Sequence, residues 1–123
     1  MENKKLLESL KSLLNPGASV YVSGSASEPG GVISLIEKNQ ACFKDIHWIQ
    51  FPLGGINKMD LSLLGEGSSL KTFFMSPFLK EGVAKGRVSF MPMHMRNIFD
   101  FLTNADLDVG IFQAARDREG VLR

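Results

Sequence analysis

LKTFFMSPFLKEGVAKGRVSFMPMHMRNIFDFLTNADLDVGIFQAARDREG, residues 70–120, decides the fold class of this chain. Phe73, Phe74 and Met75 form a short apolar segment that reads as a strand. Ser76 then suits a helix N-cap and Pro77 the first helical position, where a missing N–H costs nothing. Gly86 suits the residue just past the helix end, where a left-handed backbone favours glycine. Residues 88–92 return as a short buried strand, 96–102 form a second helix, and 107–112 form a third strand. That strand runs into a charged turn, residues 116–120. Strands alternating with helices imply a mainly parallel sheet flanked by helices, an α/β fold, with its ligand site at the strand C-terminal ends.

The first half extends the same pattern. Leu6, Leu7, Leu10, Leu13 and Leu14 recur at helical spacing and make one apolar face, to be packed on the sheet. Asn15-Pro16-Gly17 stops that helix. Residues 18–23 read as a strand, and 28–38 as a helix with Val32, Ile33, Leu35 and Ile36 inward. Residues 46–51 read as a strand that Pro52 ends. The segment 53–69 contains Gly54, Gly55, Gly65 and Gly67 and has no period. It reads as a long loop with one short element around 59–64.

At 123 residues the chain is sized for a single domain, spanning 1–123. Hydrophobic residues make up 44% and charged residues 22%, an ordinary globular balance. A net charge of +1 gives no field that would gather nucleic acid or an anionic membrane surface, so neither is an expected partner. No apolar run approaches the roughly 20 residues a membrane-spanning helix needs. The apolar positions near the N-terminus are interrupted by Glu8, Ser9, Lys11 and Ser12, unlike a signal peptide. A single cysteine, Cys42, excludes an intramolecular disulfide, and a cytoplasmic setting is expected.

Few residues carry chemistry on their own. The loop Gly24-Ser25-Ala26-Ser27-Glu28-Pro29-Gly30-Gly31 leaves a strand and enters a helix. Its small residues would let backbone N–H groups approach an anion or a thioester, with a helix N-terminus adding positive potential. A plain tight turn explains the same residues. It is neither a dinucleotide fingerprint nor a Walker loop, because the required glycine and Gly-Lys-Ser/Thr positions are absent. His47 and His94 are the only histidines and lack ligand spacing, so no metal site is expected. His94, just past a strand end, reads either as solvent-exposed or as touching substrate. Met91, Met93 and Met95 read as core or cleft lining. Cys42 sits in an apolar context with no visible base, which reads as an inert buried thiol.

Taken in order, residues 79–87, Phe90-Met91-Pro92-Met93, Arg96-Asn97-Ile98 and residues 108–113 resemble the N-terminal domain of the acetyl-CoA hydrolase/transferase family. The likeness is to its 4-hydroxybutyrate and butyryl-CoA:acetate CoA-transferase members. Residues 17–29 resemble that family's first strand and its Gly-containing loop ending in Pro. Asp117 and Gly120 match a family Ser-Pro-x-Asp-x-x-Gly pattern, while Ala115 and Arg116 stand in place of its Ser-Pro.

The resemblance implies one half of a CoA-transferase-like fold. It also implies coenzyme A as substrate rather than a resident cofactor, and an acyl-CoA cleft using Gly24, Ser25, Ala26 and Ser27 with the strand end at Met75 and Ser76. The family's chemistry runs through a glutamyl-CoA intermediate, its glutamate lying in a C-terminal domain. None of Glu2, Glu8, Glu28, Glu37, Glu66, Glu81 and Glu119 matches that nucleophile, so no catalytic residue is expected here. Glu28 reads as a charge in the first turn of the helix it precedes. The chain is then a fragment of a longer enzyme, a subunit with a catalytic partner, or a degenerate standalone domain. Expected partners are an acyl-CoA, a small carboxylate such as acetate, and either a second copy or the catalytic domain. A non-catalytic binding or assembly module on the same fold is the alternative, and a hydrolase using Glu28 or His94 a third.

Overall fold

Four short runs with β-branched or aromatic residues, each closed by a turn, pair in parallel in the structure, a computed structural model that describes residues 2–123. They are β1 (Ser19–Val22), β2 (His47–Gln50), β3 (Ser69–Thr72) and β4 (Val88–Phe90); a fifth, β5 (Val109–Ile111), joins them. The order across the sheet is β4-β3-β2-β1-β5, and every pairing is parallel. Helices α1 (Glu2–Leu13), α2 (Gly30–Lys38), α3 (Lys80–Ala84) and α4 (Met95–Asn104) flank it. This is the α/β fold that the strand–helix alternation predicts. Among the described residues, no helix is long and apolar enough to cross a membrane.

Strand alternation divides the core between the two faces of the sheet. Val20, Val22, Trp48 and Leu70 point to one face and pack with Leu10 and Leu14 at the end of α1 and Ile33 and Ile36 of α2. Tyr21, Ile49 and Phe73 lie on the other face under Ile98, Phe101 and Leu102 of α4. One face therefore carries α1 and α2, and the other carries α4. Full burial of a residue the size of Trp48 or Phe43 contributes about 1.5–3 kcal/mol, so the first face holds the larger share of the stabilisation.

Several expectations are corrected by this packing. The strand expected at Phe73-Phe74-Met75 lies earlier, at Ser69–Thr72, where Leu70 and Thr72 alternate inward. Phe73 folds back onto Phe101 with ring centroids 5.6 Å apart, and Phe74 and Met75 are exposed. Residues 88–90 form an edge strand that is mostly exposed rather than buried, because β3 pairs with only one of its sides. Leu10 and Leu14 are buried, but Leu6 and Leu13 are exposed, so the N-terminal leucine face is used only in part. Cys42 is exposed, at the end of the 3-10 turn Gln40–Cys42, because the neighbouring Phe43 takes the inward position.

Helix boundaries follow the sequence chemistry closely. Pro77 opens a 3-10 turn, Pro77–Leu79, that leads into α3; Ser76 is its N-cap by position, though its side chain makes no capping bond. Gly86 follows α3 with φ +69, the left-handed conformation predicted for it. The segment 53–69 contains the expected short element, the 3-10 turn Leu61–Leu63, yet it belongs to the core. Leu61 and Leu64 are fully buried, and the Leu64 carbonyl accepts from Trp48 Nε1 at 3.3 Å. Asp60 ties the loop to α3: its Oδ1 accepts from the Ser62 amide and hydroxyl at 3.0 and 2.6 Å, and its Oδ2 from the Gly82 amide at 3.1 Å. The charged turn is ordered too. Asp117 accepts from the Val121 and Glu119 amides, both at 2.9 Å, and from Arg123 Nε at 3.0 Å. The Val121 amide, helped by Arg123 and the Glu119 and Gly120 amides against the opposing effect of desolvation, holds this carboxyl below its ordinary range.

Candidate functional site

The sheet order creates one place where neighbouring connections diverge. From β1 the chain steps through β2, β3 and β4 in one direction, then returns over the opposite face through α4 to place β5 beside β1. The loop after β1 therefore leaves the sheet at the switch point between β2 and β5, the usual ligand position in open α/β sheets.

The loop after β1 is fixed by backbone contacts that explain its composition. The Ser23 amide donates to the Ile111 carbonyl at 3.0 Å and carries the β1–β5 ladder one residue further. Gly24 passes so close to the loop after β2 that a Cβ would collide with the Phe51 carbonyl oxygen. Only glycine fits there. Ser25 follows with φ +57, unusual for a residue with a side chain, and begins the 3-10 turn Ser25–Ser27. The buried Asn57 holds that conformation in place. Its Oδ1 accepts from the Ser25 and Leu53 amides, both at 2.7 Å, and its Nδ2 donates to the Ser25 carbonyl at 3.0 Å. Across the turn, the Ser23 hydroxyl donates to the Ser27 carbonyl at 2.5 Å.

This loop forms the polar side of a cleft of about 330 Å³ lined by Ser23, Gly24, Ser25 and Ser27. Its other side is Tyr21 of β1 and Phe51 of the loop after β2, with Met95, Ile98 and Phe99 from the first half of α4. Burial pushes the Tyr21 phenol above its ordinary pKa, so it stays a neutral hydrogen-bonding group around neutral pH. The cleft thus sets hydroxyls and backbone beside an aromatic and thioether surface, which suits a ligand with a polar group next to an apolar one.

The structure brings three of the six anticipated site residues, Gly24, Ser25 and Ser27, to this cleft. Ala26 sits on the outside of the turn, exposed and off the cleft. Met75 and Ser76 stand past the end of β3, with Ser76 Oγ facing Gly54, and do not line it. Phe51 bridges the two places, edge-on to Phe74 with centroids 4.6 Å apart. His94 lies on a neighbouring cleft of about 450 Å³ with Phe73, Phe74 and Phe90.

The N-terminus of α2 does not reach the serine cleft: Gly30 and Glu28 line a separate one of about 250 Å³ with Lys58. Glu28 precedes α2 rather than occupying its first turn, and its Oε1 accepts from Gln50 Nε2 at 2.9 Å. Among the described residues, no group of three or more His, Cys, Asp or Glu side chains is placed to hold a metal ion.

Sequence reasoning did not find Tyr21, Phe51, Ile98, Phe99 or Asn57. Tyr21 was accessible through the alternation of β1, and Ile98 and Phe99 through the helical spacing from Met95. Asn57 carried no local signal.

No protein-family model matches the chain, and no curated protein matches it. Solved structures do. RipA from Yersinia pestis aligns with a TM-score of 0.71 and 15% identity over 94% of this chain and 30% of RipA. Two structures of RipA glutamate mutants align over 99% of this chain, one at TM-score 0.68 and 12% identity, the other at 0.71 and 13%. They cover 33% and 32% of those chains, so this chain spans about a third of the length of the proteins it resembles. At such identities the likeness concerns the fold alone, the α/β fold that this chain shares with RipA.

Proposed function

We propose that this chain forms one side of an acyl-CoA cleft and is the first part of an acyl-CoA transferase or hydrolase. The observation that carries this reading is the serine loop at the β1/β5 divergence, on a fold shared with RipA. In the proposed reaction a glutamate carboxylate outside this chain attacks the thioester carbonyl and the C–S bond breaks, giving a mixed anhydride and CoA thiolate. The thiolate then attacks the glutamyl carbonyl of that anhydride, the substrate acid leaves as its carboxylate, and a glutamyl-CoA thioester remains. This chain's part is to bind and orient. The fixed Ser25–Ser27 turn offers hydroxyls to the thioester or carboxylate, and its rigidity lowers the entropy lost on binding. Coenzyme A is the proposed substrate, with a small carboxylate as acceptor and a catalytic domain, subunit or second copy as partner.

Calorimetric titration of the purified chain with acetyl-CoA, free CoA and adenine nucleotides tests the reading. Micromolar binding of the CoA compounds, weakened when Ser25 and Ser27 are replaced by bulky residues, supports it. Absence of heat with every CoA compound refutes it for this chain. An assembly module is the second reading. It is favoured by three widely exposed apolar side chains, Met95 at 69%, Phe99 at 68% and Phe112 at 68%, since such surface commonly drives association.

A further inference from the structure

Resting on the acyl-CoA reading, we infer that Met95 and Phe99 make the cleft selective for acyl chain length, favouring aliphatic acyl groups longer than acetyl. The two residues stand one turn apart on α4, at positions i and i+4, and so form a single ridge. That ridge lines the same cleft as Ser23, Ser25 and Ser27. It is also among the most exposed apolar surface on the molecule, at 69% and 68%, although it adjoins a loop of small polar residues. An acetyl group held at the serines has too little apolar surface to cover such a ridge. A chain extending from the same anchoring point lies along it. The cleft, about 330 Å³, has room for several methylenes beyond the carbonyl.

Each methylene that leaves water for this surface should tighten binding about two- to fourfold, the lower figure applying where only half the group is covered. The test is titration of the full chain with acetyl-, butyryl- and hexanoyl-CoA beside free CoA. From acetyl to hexanoyl, affinity is expected to rise at least about tenfold. In Met95→Ser and Phe99→Ser the hexanoyl-to-acetyl ratio should fall toward one. In Phe112→Ser, a control at an equally exposed phenylalanine that does not line the cleft, it should stay as in the parent. All three substitutions replace exposed side chains, and circular dichroism checks that each variant is folded. Binding of CoA and its thioesters with a flat series, or an equal loss of slope in Phe112→Ser, overturns the inference and leaves the acyl-CoA reading standing. Failure of free CoA and all thioesters to bind overturns both.

Discussion

Asn57 holds Ser25 by both of its backbone groups, accepting from its amide at 2.7 Å and donating to its carbonyl at 3.0 Å. The two residues are 32 positions apart, so this clasp fastens the loop after β1 to the loop after β2. It stabilises a left-handed serine that would otherwise cost about 1–2 kcal/mol. Asn57→Ala should leave the Ser25 and Leu53 amides without their partner and destabilise the chain by about 2–4 kcal/mol. Urea denaturation measures this. A loss below about half a kilocalorie per mole, within the range of an ordinary surface substitution, would mean that the clasp does not hold the loop.

Gly24 and Gly31 should respond to alanine in opposite directions. A Cβ at Gly24 collides with the Phe51 carbonyl oxygen, and backbone cannot move aside as a side-chain end can. Gly24→Ala is expected to cost about 1–3 kcal/mol and to distort the serine turn. Gly31 lies within α2, and a methyl group added there would meet nothing within 4 Å. Gly31→Ala should stabilise by about 0.5–1 kcal/mol. Thermal melts of both variants check the pair, and equal shifts in one direction would contradict it.

Gly82 is the corresponding close approach on α3. A Cβ there would collide with Ser62 Oγ and lie 2.5 Å from Asp60 Oδ2, inside the network that ties the 53–69 segment to the helix. Gly82→Ala should therefore destabilise, by about 1–3 kcal/mol, despite alanine's better helix propensity. Double-mutant analysis with Ser62→Gly, which removes the nearest clashing atom, should recover part of the loss. Full additivity would contradict the assigned contact.

Legibility in the sequence followed the range of the interactions. The α/β class, the boundaries of α2, α3 and α4, and Gly86 were readable because each rests on neighbours a few residues apart. The serine loop was readable for the same reason, as Gly24 to Gly31 carry local turn and helix-start chemistry. The position of β3 was not. Phe73-Phe74-Met75 and Leu70-Lys71-Thr72 are both plausible strands, and what separates them is the register of Leu70 against Trp48 in β2. Asn57 was hidden because its bonds reach across loops. Cys42 was misjudged because only the packing of Phe43 decides which of the two turns inward.

Tyr21 gives the pH dependence a clean readout, since it is the only tyrosine. Its folded pKa is raised by burial, so its contribution to stability is complete below the unfolded value of about 10 and is lost as pH rises through the folded value. Stability should fall more steeply above about pH 10 in the parent chain than in Tyr21→Phe. Phenolate absorbance in the ultraviolet should show a single titration displaced upward from free tyrosine. A titration at or below the free value would contradict the burial described.

The most direct test of the acyl-CoA cleft is amide chemical-shift mapping of the isotope-labelled chain during titration with acetyl-CoA. Expected are saturable shifts centred on Ser23, Gly24, Ser25 and Ser27, together with Ile98 and Phe99 across the cleft. Shifts confined to Glu28, Gly30 and Lys58, on the separate cleft beside α2, would contradict the placement, and no shifts at any concentration would contradict the function itself.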